Sequence, residues 1–170
     1  MNIKKTSLKI LGVDIGGVII DRINDGTDTS FFSENYLNSK AVPGAFESLR
    51  ELVGGPFGDR VHLVSKCGPR TQKKTLEWLH HHNFHFHTGI RPPHVHFCLE
   101  RHEKAGICER LEITHFVDDS LEVLSNLTAV QTRYLFNSHI DKMSRRPQSL
   151  SWVIGVDSWQ RILDREIPRR

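Results

Sequence analysis

The chain has 170 residues, of which 38% are hydrophobic and 25% charged, and its net charge at pH 7 is +3. This length fits one domain with a sizeable core and is too short for two large lobes. No run approaches the roughly 18 consecutive apolar residues that a membrane-spanning helix needs. The composition therefore predicts one globular domain over residues 1–170, without a membrane segment.

Charge and cysteine usage narrow the expected partners and compartment. The basic segments at 144–147 and 168–170 lack interleaved aromatic residues, so they indicate a solvated surface and do not favour nucleic-acid binding. Three cysteines without CxxC spacing indicate neither a disulfide framework nor a thiolate zinc site. The apolar stretch after the N-terminal lysines is interrupted by Lys9 and Asp14, unlike that of a signal peptide. We therefore expect a cytoplasmic protein.

The first half of the chain alternates apolar strands with amphipathic helices. Residues 8–14 predict a buried strand, and Asp25-Gly26 beyond it predicts a small hairpin or flap. The next predicted elements, in order, are a helix over 42–55, a strand over 60–66, a helix over 69–82 with Leu76 and Leu79 facing the core, and a strand over 94–100.

The second half continues the alternation. Its predicted elements are a helix over 101–111, a strand over 113–119, a helix over 120–127, a fifth strand over 130–136 and a closing helix over 157–165 capped by Asp157. Parallel strands need a helix-sized connection between them. The pattern therefore predicts an α/β fold, with a doubly wound, mostly parallel sheet and helices on both faces.

Polar residues fall at the carboxyl ends of three predicted strands, where such sheets bind ligands. Asp14, Ser65 and the pair Asp118-Asp119 should therefore meet at one rim. Gathered carboxylates repel one another unless a cation neutralises them, and oxygen ligands favour Mg²⁺. A carboxylate can also attack phosphorus, while a hydroxyl and a lysine stabilise the transferred group. The rim predicts magnesium-dependent phosphoryl transfer.

Four segments, VDIGGVI, LVSK, RHEKAGI and THFVDDSLEVL, lie in this order within residues 9–127. They resemble the four motifs of the haloacid dehalogenase (HAD) superfamily of phosphohydrolases. The last is the most specific, because it joins an apolar strand, two adjacent acids and a helix that begins with a small polar residue. The resemblance implies a HAD-like Rossmannoid fold and a magnesium-dependent phosphatase that acts through an aspartyl-phosphate intermediate.

The resemblance also implies a role for each matching residue. Asp14 would be the nucleophile, Ser65 and Lys66 would bind the substrate phosphate, and Lys104 would be the charge clamp, with Arg101 as its nearest substitute. The implied ligands of Mg²⁺ are the carboxylates of Asp14, Asp118 and Asp119 and the backbone carbonyl of Gly16.

Gly16 is the main departure from the family pattern. Most phosphatases of the family have a second aspartate there, which protonates the leaving oxygen and then activates water, a contribution of about 10²- to 10⁴-fold. With glycine, we expect good leaving groups to be cleaved much better than simple alkyl phosphates. The alternative is a HAD-fold protein without efficient turnover that serves as a phosphoryl-ligand binding or interaction module.

The spacing of the motifs leaves no room for a large cap domain over the rim. The segments from Asp14 to Ser65 and from Ser65 to Lys104 are largely used by the predicted flap, helices and strand. An open site with minimal or no cap suits a macromolecular phosphate, an extended small molecule or a small substrate covered by a partner subunit. We therefore expect a phosphorylated small molecule or macromolecule as the partner.

Two other families share part of this pattern. GVDIGG also resembles the phosphate loop of the sugar-kinase and actin superfamily, but the chain lacks room for two lobes and a second such loop. Response-regulator receivers use acids, a hydroxyl and a lysine, but their acid pair comes early in the chain. Here Asp118 and Asp119 come last of the four motifs.

The remaining histidine, arginine and aromatic residues favour structural interpretations. The histidines over 80–87, with His94 and His96 on one predicted strand face, suggest zinc, yet no acid or cysteine completes a site. A solvated run at a helix end is the favoured interpretation. Arg145 and Arg146 are interpreted as part of an ordinary surface loop. The aromatic residues predicted to pack in or beside the core are Trp78, Phe84, Phe86, Trp152 and Trp159.

Overall fold

A computed structural model describes residues 8–22, 33–138 and 148–168. Six strands lie in the described chain: β1 Leu11–Val13, β2 Val61–Lys66, β3 Val95–Cys98, β4 His115–Asp118, β5 Thr132–Phe136 and β6 Ile154–Val156. They form one sheet in the order β3-β2-β1-β4-β5-β6, and every pairing is parallel. The predicted α/β class with a parallel sheet is confirmed.

Helices connect these strands. They are α1 Ala45–Gly54, α2 Pro69–His81, α3 Phe84–Thr88, α4 Glu103–Arg110, α5 Leu121–Asn126 and α6 Trp159–Glu166. Short 3-10 helices lie at Tyr36–Asn38, Pro92–His94 and Gln148–Leu150. Within the described part of the chain, no helix is both long and apolar enough to cross a bilayer.

The sheet separates two apolar cores, because neighbouring strand residues point to opposite faces. Leu63 and Val117 belong to the larger core, which buries side chains from α1, α2, α3 and α6. Val64 and Phe116 belong to the smaller core, against α4 and α5. Helices therefore cover both faces, as expected for a doubly wound sheet.

The strand order reverses beside β1, which lies between β2 and β4. The chain runs outward from β1 to β2 and β3, and then returns to place β4 on the other side of β1. Val13 and Val117 are partners in this pairing, so the carboxyl ends of β1 and β4 lie side by side. Sheets of this kind bind ligands outside the strands at such a reversal.

Several details differ from the predictions. β1 ends at Val13 instead of Asp14, and β6 and α3 were not predicted. Asp157 does not cap α6, since the residue before the helix is Ser158. The short run that forms β6 has three residues, and it becomes a strand only by pairing with the edge of β5.

The predicted inward face of α2 is confirmed at Leu79 and wrong at Leu76. Leu76 is 47% exposed, whereas Thr75, Trp78 and Leu79 are buried. Trp78 explains the difference, because its indole lies in the larger core and its Nε1 donates a hydrogen bond to the Ser39 carbonyl over 2.8 Å. Because the Trp78 indole points into the core, Leu76 lies at the edge of the buried face of α2, where about half of it is exposed.

The aromatic predictions hold except at one position. Trp78, Phe84 and Trp159 are fully or almost fully buried, and Trp152 packs beside the smaller core. Phe86 is 87% exposed, so its predicted packing is wrong. Phe86 lies on α3, whose single short turn buries Phe84 and directs the residue two positions later to solvent.

The base of the predicted flap is a short antiparallel pairing. The Asp21 amide donates to the Lys40 carbonyl over 2.8 Å, and the Val42 amide donates to the Ile19 carbonyl over 2.7 Å. These bonds fix the direction in which the chain leaves the sheet after β1. The predicted Asp25-Gly26 turn, like Arg145 and Arg146, lies outside the described residues.

Three imidazoles gather near the start of β2 and β3. The rings of His62 and His94 stack with centroids 4.4 Å apart, and His62 Nδ1 lies 3.2 Å from His96 Nε2. His94 lies in the 3-10 helix before β3, so the predicted placement of His94 and His96 on one strand face is wrong. Burial is the main cause, and repulsion from His94 and His96 a smaller one, of the lowering of the pKa of His62 to about 4.

We expect His62 to make the protein less stable in mild acid. Its folded pKa lies below the ordinary value of about 6.5, so the unfolded chain binds the proton first and stability falls as the pH drops from about 6.5 to about 4. His62→Gln should flatten the pH dependence of the urea midpoint between pH 7 and pH 4.5. The exposed control His80→Gln should keep the wild-type slope. Equal slopes in His62→Gln and wild type would contradict this prediction.

Candidate functional site

The residues predicted for the site come together at the carboxyl edge of the sheet. A pocket of about 350 Å³ is lined by every one of them: Asp14, Gly16, Ser65, Lys66, Lys104, Asp118 and Asp119. Asp14 follows β1, Ser65 lies near the end of β2, and Asp118 ends β4. The rule that places ligands at strand ends therefore located the pocket correctly.

A buried lysine joins the two central acids. Lys104, in the first turn of α4, places its Nζ 2.9 Å from Asp14 Oδ1 and 2.8 Å from Asp118 Oδ2. Its side chain is 3% exposed, and the ammonium also lies 5.7 Å from the centre of the Phe116 ring. Burial alone would lower the pKa of Lys104, but the two carboxylates outweigh it, so the pKa lies above its ordinary value.

The buried Asp118 carboxyl contacts the Lys104 ammonium and the Ser120 amide. Burial, followed by repulsion from Asp14, raises the pKa of Asp118 to about 6 against the attraction of Lys104. Its Oδ1 accepts a hydrogen bond from the Ser120 amide over 2.9 Å. Ser120 itself caps α5, with its hydroxyl oxygen accepting from the Val123 amide. Asp119 is therefore not the helix cap, and its carboxylate faces the pocket.

Three carboxylates can share a cation here. Asp14, Asp118 and Asp119 each offer an oxygen, and these atoms all lie within 4.8 Å of one another. It is the one such group of potential metal ligands within the described ranges. All donors are hard oxygens, which fits Mg²⁺ or another divalent oxygen-loving cation. Two side-chain cations, Lys104 beside Asp14 and Asp118 and Arg22 beside Asp119, face three carboxylates, so the charge balance also fits a bound cation.

Arg22 is a site residue that the sequence did not reveal. It lines the pocket, and its Nη1 lies 3.4 Å from Asp119 Oδ2. Burial raises the pKa of Asp119, and Arg22 opposes this rise. A Cβ added to Gly16 would lie 2.8 Å from Arg22 Nη2, so the guanidinium occupies the space where a longer side chain at position 16 would extend.

Gly17 allows the backbone after β1 to lie close to the Asp119 carboxylate. Its φ is +80°, and a Cβ there would lie 2.2 Å from Asp119 Oδ2. A side chain at this position would strain the backbone and displace the carboxylate. The second glycine after Asp14 is therefore required by the position of Asp119.

The remaining residues of the pocket differ in their surroundings. Ser65 is buried and Lys66 is exposed at the end of β2. Arg101 also lines the pocket, but it pairs with Glu122 over 2.6 Å, so Lys104 is the cation that contacts the central acids. Burial raises the pKa of Cys67 to about 11, which keeps this pocket residue a thiol at neutral pH and argues against a cysteine nucleophile.

No protein-family model matches the chain, and no curated protein matches it in sequence.

Proposed function

We propose that the chain is a HAD-like phosphohydrolase, a magnesium-dependent phosphatase that works through a phosphorylated Asp14. The observation that carries the proposal is the Lys104 ammonium, 2.9 Å from Asp14 and 2.8 Å from Asp118 where β1 and β4 end. A carboxylate nucleophile needs to approach an anionic phosphate without excessive repulsion. A buried cation shared by two acids supports this requirement.

Each proposed role follows from the position of a side chain. Asp14 Oδ1 accepts from Lys104, so we assign the attack on phosphorus to its other carboxylate oxygen, Oδ2. Lys104 offsets the charge that accumulates on the phosphoryl oxygens. Ser65 and Lys66, at the neighbouring strand end, are assigned to hydrogen bonding and charge pairing with those oxygens.

The acid group fits the metal that this chemistry uses. Asp14, Asp118 and Asp119 would hold Mg²⁺, with the Gly16 carbonyl as a further ligand. When bound, the ion would offset the repulsion between the phosphate and the carboxylates and orient the phosphate. The partner is proposed to be a phosphorylated small molecule or macromolecule, since the pocket opens at the rim of the sheet.

A second candidate function has one observation in its favour. The position expected to carry an acid-base aspartate is Gly16, and a guanidinium fills the adjacent space. A phosphoryl-ligand binding module needs the cations and the metal ligands but no acid-base group. Binding without turnover is therefore the alternative to the phosphatase.

The proposal is tested by measuring phosphate release, with and without Mg²⁺, from aryl, sugar, nucleotide and phosphopeptide esters. We expect release that depends on Mg²⁺ and falls by about 10⁴-fold or more in Asp14→Asn. The control Asp59→Asn makes the same exchange at an exposed acid outside the pocket and should keep the activity. Magnesium-dependent binding of inorganic phosphate by folded protein that releases none from any ester would favour the binding module instead.

A further inference from the structure

We propose that Arg22 selects the substrate: it binds the anionic leaving group of a phosphoric anhydride, either an acyl phosphate or a pyrophosphate. This inference rests on the proposed phosphatase function and names the substrate class of the same site. The Arg22 guanidinium lies beside Gly16 and occupies the space into which a side chain at position 16 would extend.

The loop after β1 fixes where Arg22 begins. The Ile19 and Ile20 amides both donate to the Ile15 carbonyl, over 2.8 and 3.0 Å, and the Gly17 amide donates to the Ile20 carbonyl over 2.8 Å. The chain therefore turns back on itself immediately after Asp14. Ile20 is buried and the Asp21 amide donates to the Lys40 carbonyl, so the backbone position of Arg22 is fixed on this return of the chain. From there its guanidinium lies beside Gly16.

The guanidinium is available to a ligand. Among the residues that the structure describes, the guanidinium forms one ion pair, with Asp119, and its 3.4 Å is longer than the roughly 2.7–2.9 Å of a charge-assisted hydrogen bond. The Arg22 side chain is 61% exposed and lines the pocket, so its forked N–H donors face the space that a substrate would occupy. This fork matches the paired oxygens of a carboxylate or a phosphate.

A guanidinium and a carboxylic acid at this place favour different leaving groups. An alkoxide needs a proton as it departs, and a guanidinium does not give one up at neutral pH. A carboxylate or phosphate departs as a stable anion and needs only a positive charge and hydrogen bonds. Arg22 therefore favours hydrolysis of an anhydride over hydrolysis of an alkyl ester.

The proposed reaction balances without an acid at position 16. Asp14 Oδ2 forms a bond to phosphorus, the bridging P–O bond breaks, and its electron pair leaves on the carboxylate or phosphate anion paired with Arg22. Water then attacks phosphorus, and the bond to Asp14 breaks. Asp14 regains its carboxylate, and both hydrogens of the water leave on dihydrogen phosphate.

The test compares acetyl phosphate, pyrophosphate and glycerol phosphate at saturating Mg²⁺. We expect the wild-type kcat/KM to be at least about 10²-fold higher for one of the anhydrides than for glycerol phosphate. Arg22→Gln should lower kcat/KM for the anhydride by about 10²-fold and leave kcat/KM for glycerol phosphate nearly unchanged. Arg22→Lys should retain part of the wild-type kcat/KM for the anhydride. Arg50→Gln, at an exposed arginine of α1 outside this pocket, should keep the wild-type ratio.

A binding measurement separates this inference from the proposed function. In the Asp14→Asn background, calorimetry should show acetate or pyrophosphate binding weakened about 10-fold or more by Arg22→Gln. An active enzyme whose anhydride-to-ester ratio does not change in Arg22→Gln would overturn the inference and leave the phosphatase standing. No turnover of any substrate by folded wild-type protein would overturn both, and the acetyl phosphate and pyrophosphate rates decide between the two anhydrides.

Discussion

Lys104→Met is expected to lower the free energy of unfolding by about 3–5 kcal/mol in metal-free buffer. The substitution keeps an apolar stem of similar length but leaves Asp14 and Asp118, both nearly fully buried, without the ammonium that contacts them. Two adjacent buried carboxylates then repel each other. Urea unfolding in EDTA measures the loss.

Mg²⁺ should restore much of that stability. A ligand that binds only the folded state stabilises it, and the stabilisation grows with the logarithm of the ligand concentration divided by Kd. In Lys104→Met the ion would be the remaining source of positive charge for the buried acids, so we expect a larger magnesium-induced shift of the urea midpoint than in wild type. Lys73→Met is the control, because Lys73 is 79% exposed and pairs only loosely with Glu77. A Lys104→Met protein as stable as wild type would contradict the importance of this ion pair.

Gly12→Ala is expected to lower the free energy of unfolding by about 1–3 kcal/mol. Gly12 lies directly across from Phe116 in the pairing of β1 with β4, and an added Cβ would lie 2.4 Å from Phe116 Cδ2. The ring is fully buried, so it cannot move into solvent. Because Lys104 lies over this ring, displacement of Phe116 should also weaken Mg²⁺ binding.

A double-mutant cycle tests the cause of that loss. Phe116→Leu removes the ring atoms that the new methyl group would meet, so the two substitutions together should cost less than the sum of each alone, by about 0.5–3 kcal/mol. The control is Gly106→Ala on α4, where an added Cβ meets nothing within 4 Å and should stabilise the helix slightly. Additive effects of Gly12→Ala and Phe116→Leu would mean that the clash is not the cause.

Three residues of the candidate site could be predicted because each lies at or next to the end of an apolar strand, whereas Lys104, in α4, was indicated only by the resemblance to a family motif. Asp14, Ser65 and Asp118 required only the alternation of strands and helices and the rule that parallel strand ends share an edge. The exposure of Leu76 could not be predicted in the same way. Leu76, Trp78 and Leu79 all fit a helical apolar face, and the width of the buried face depends on how the larger core accommodates the Trp78 indole.

Arg22 could not be predicted because no local pattern determines its position. It comes to lie beside Gly16 only through the return of the chain after Asp14 and the bonds that Asp21 and Val42 make at the base of the flap. β6 was missed for a related reason. Its three residues form a strand by pairing with the edge of β5, and a run of that length has no periodicity of its own.

The position of β1 between β2 and β4 determines when the charges of the site meet. Asp14 and Lys104 are separated by 90 positions in the chain, and Asp118 comes later still. In an extended chain these charges are too far apart to repel or attract one another strongly. The repulsion between Asp14 and Asp118 therefore arises only when β4 docks beside β1, and the folded arrangement also places both acids against the lysine that offsets it.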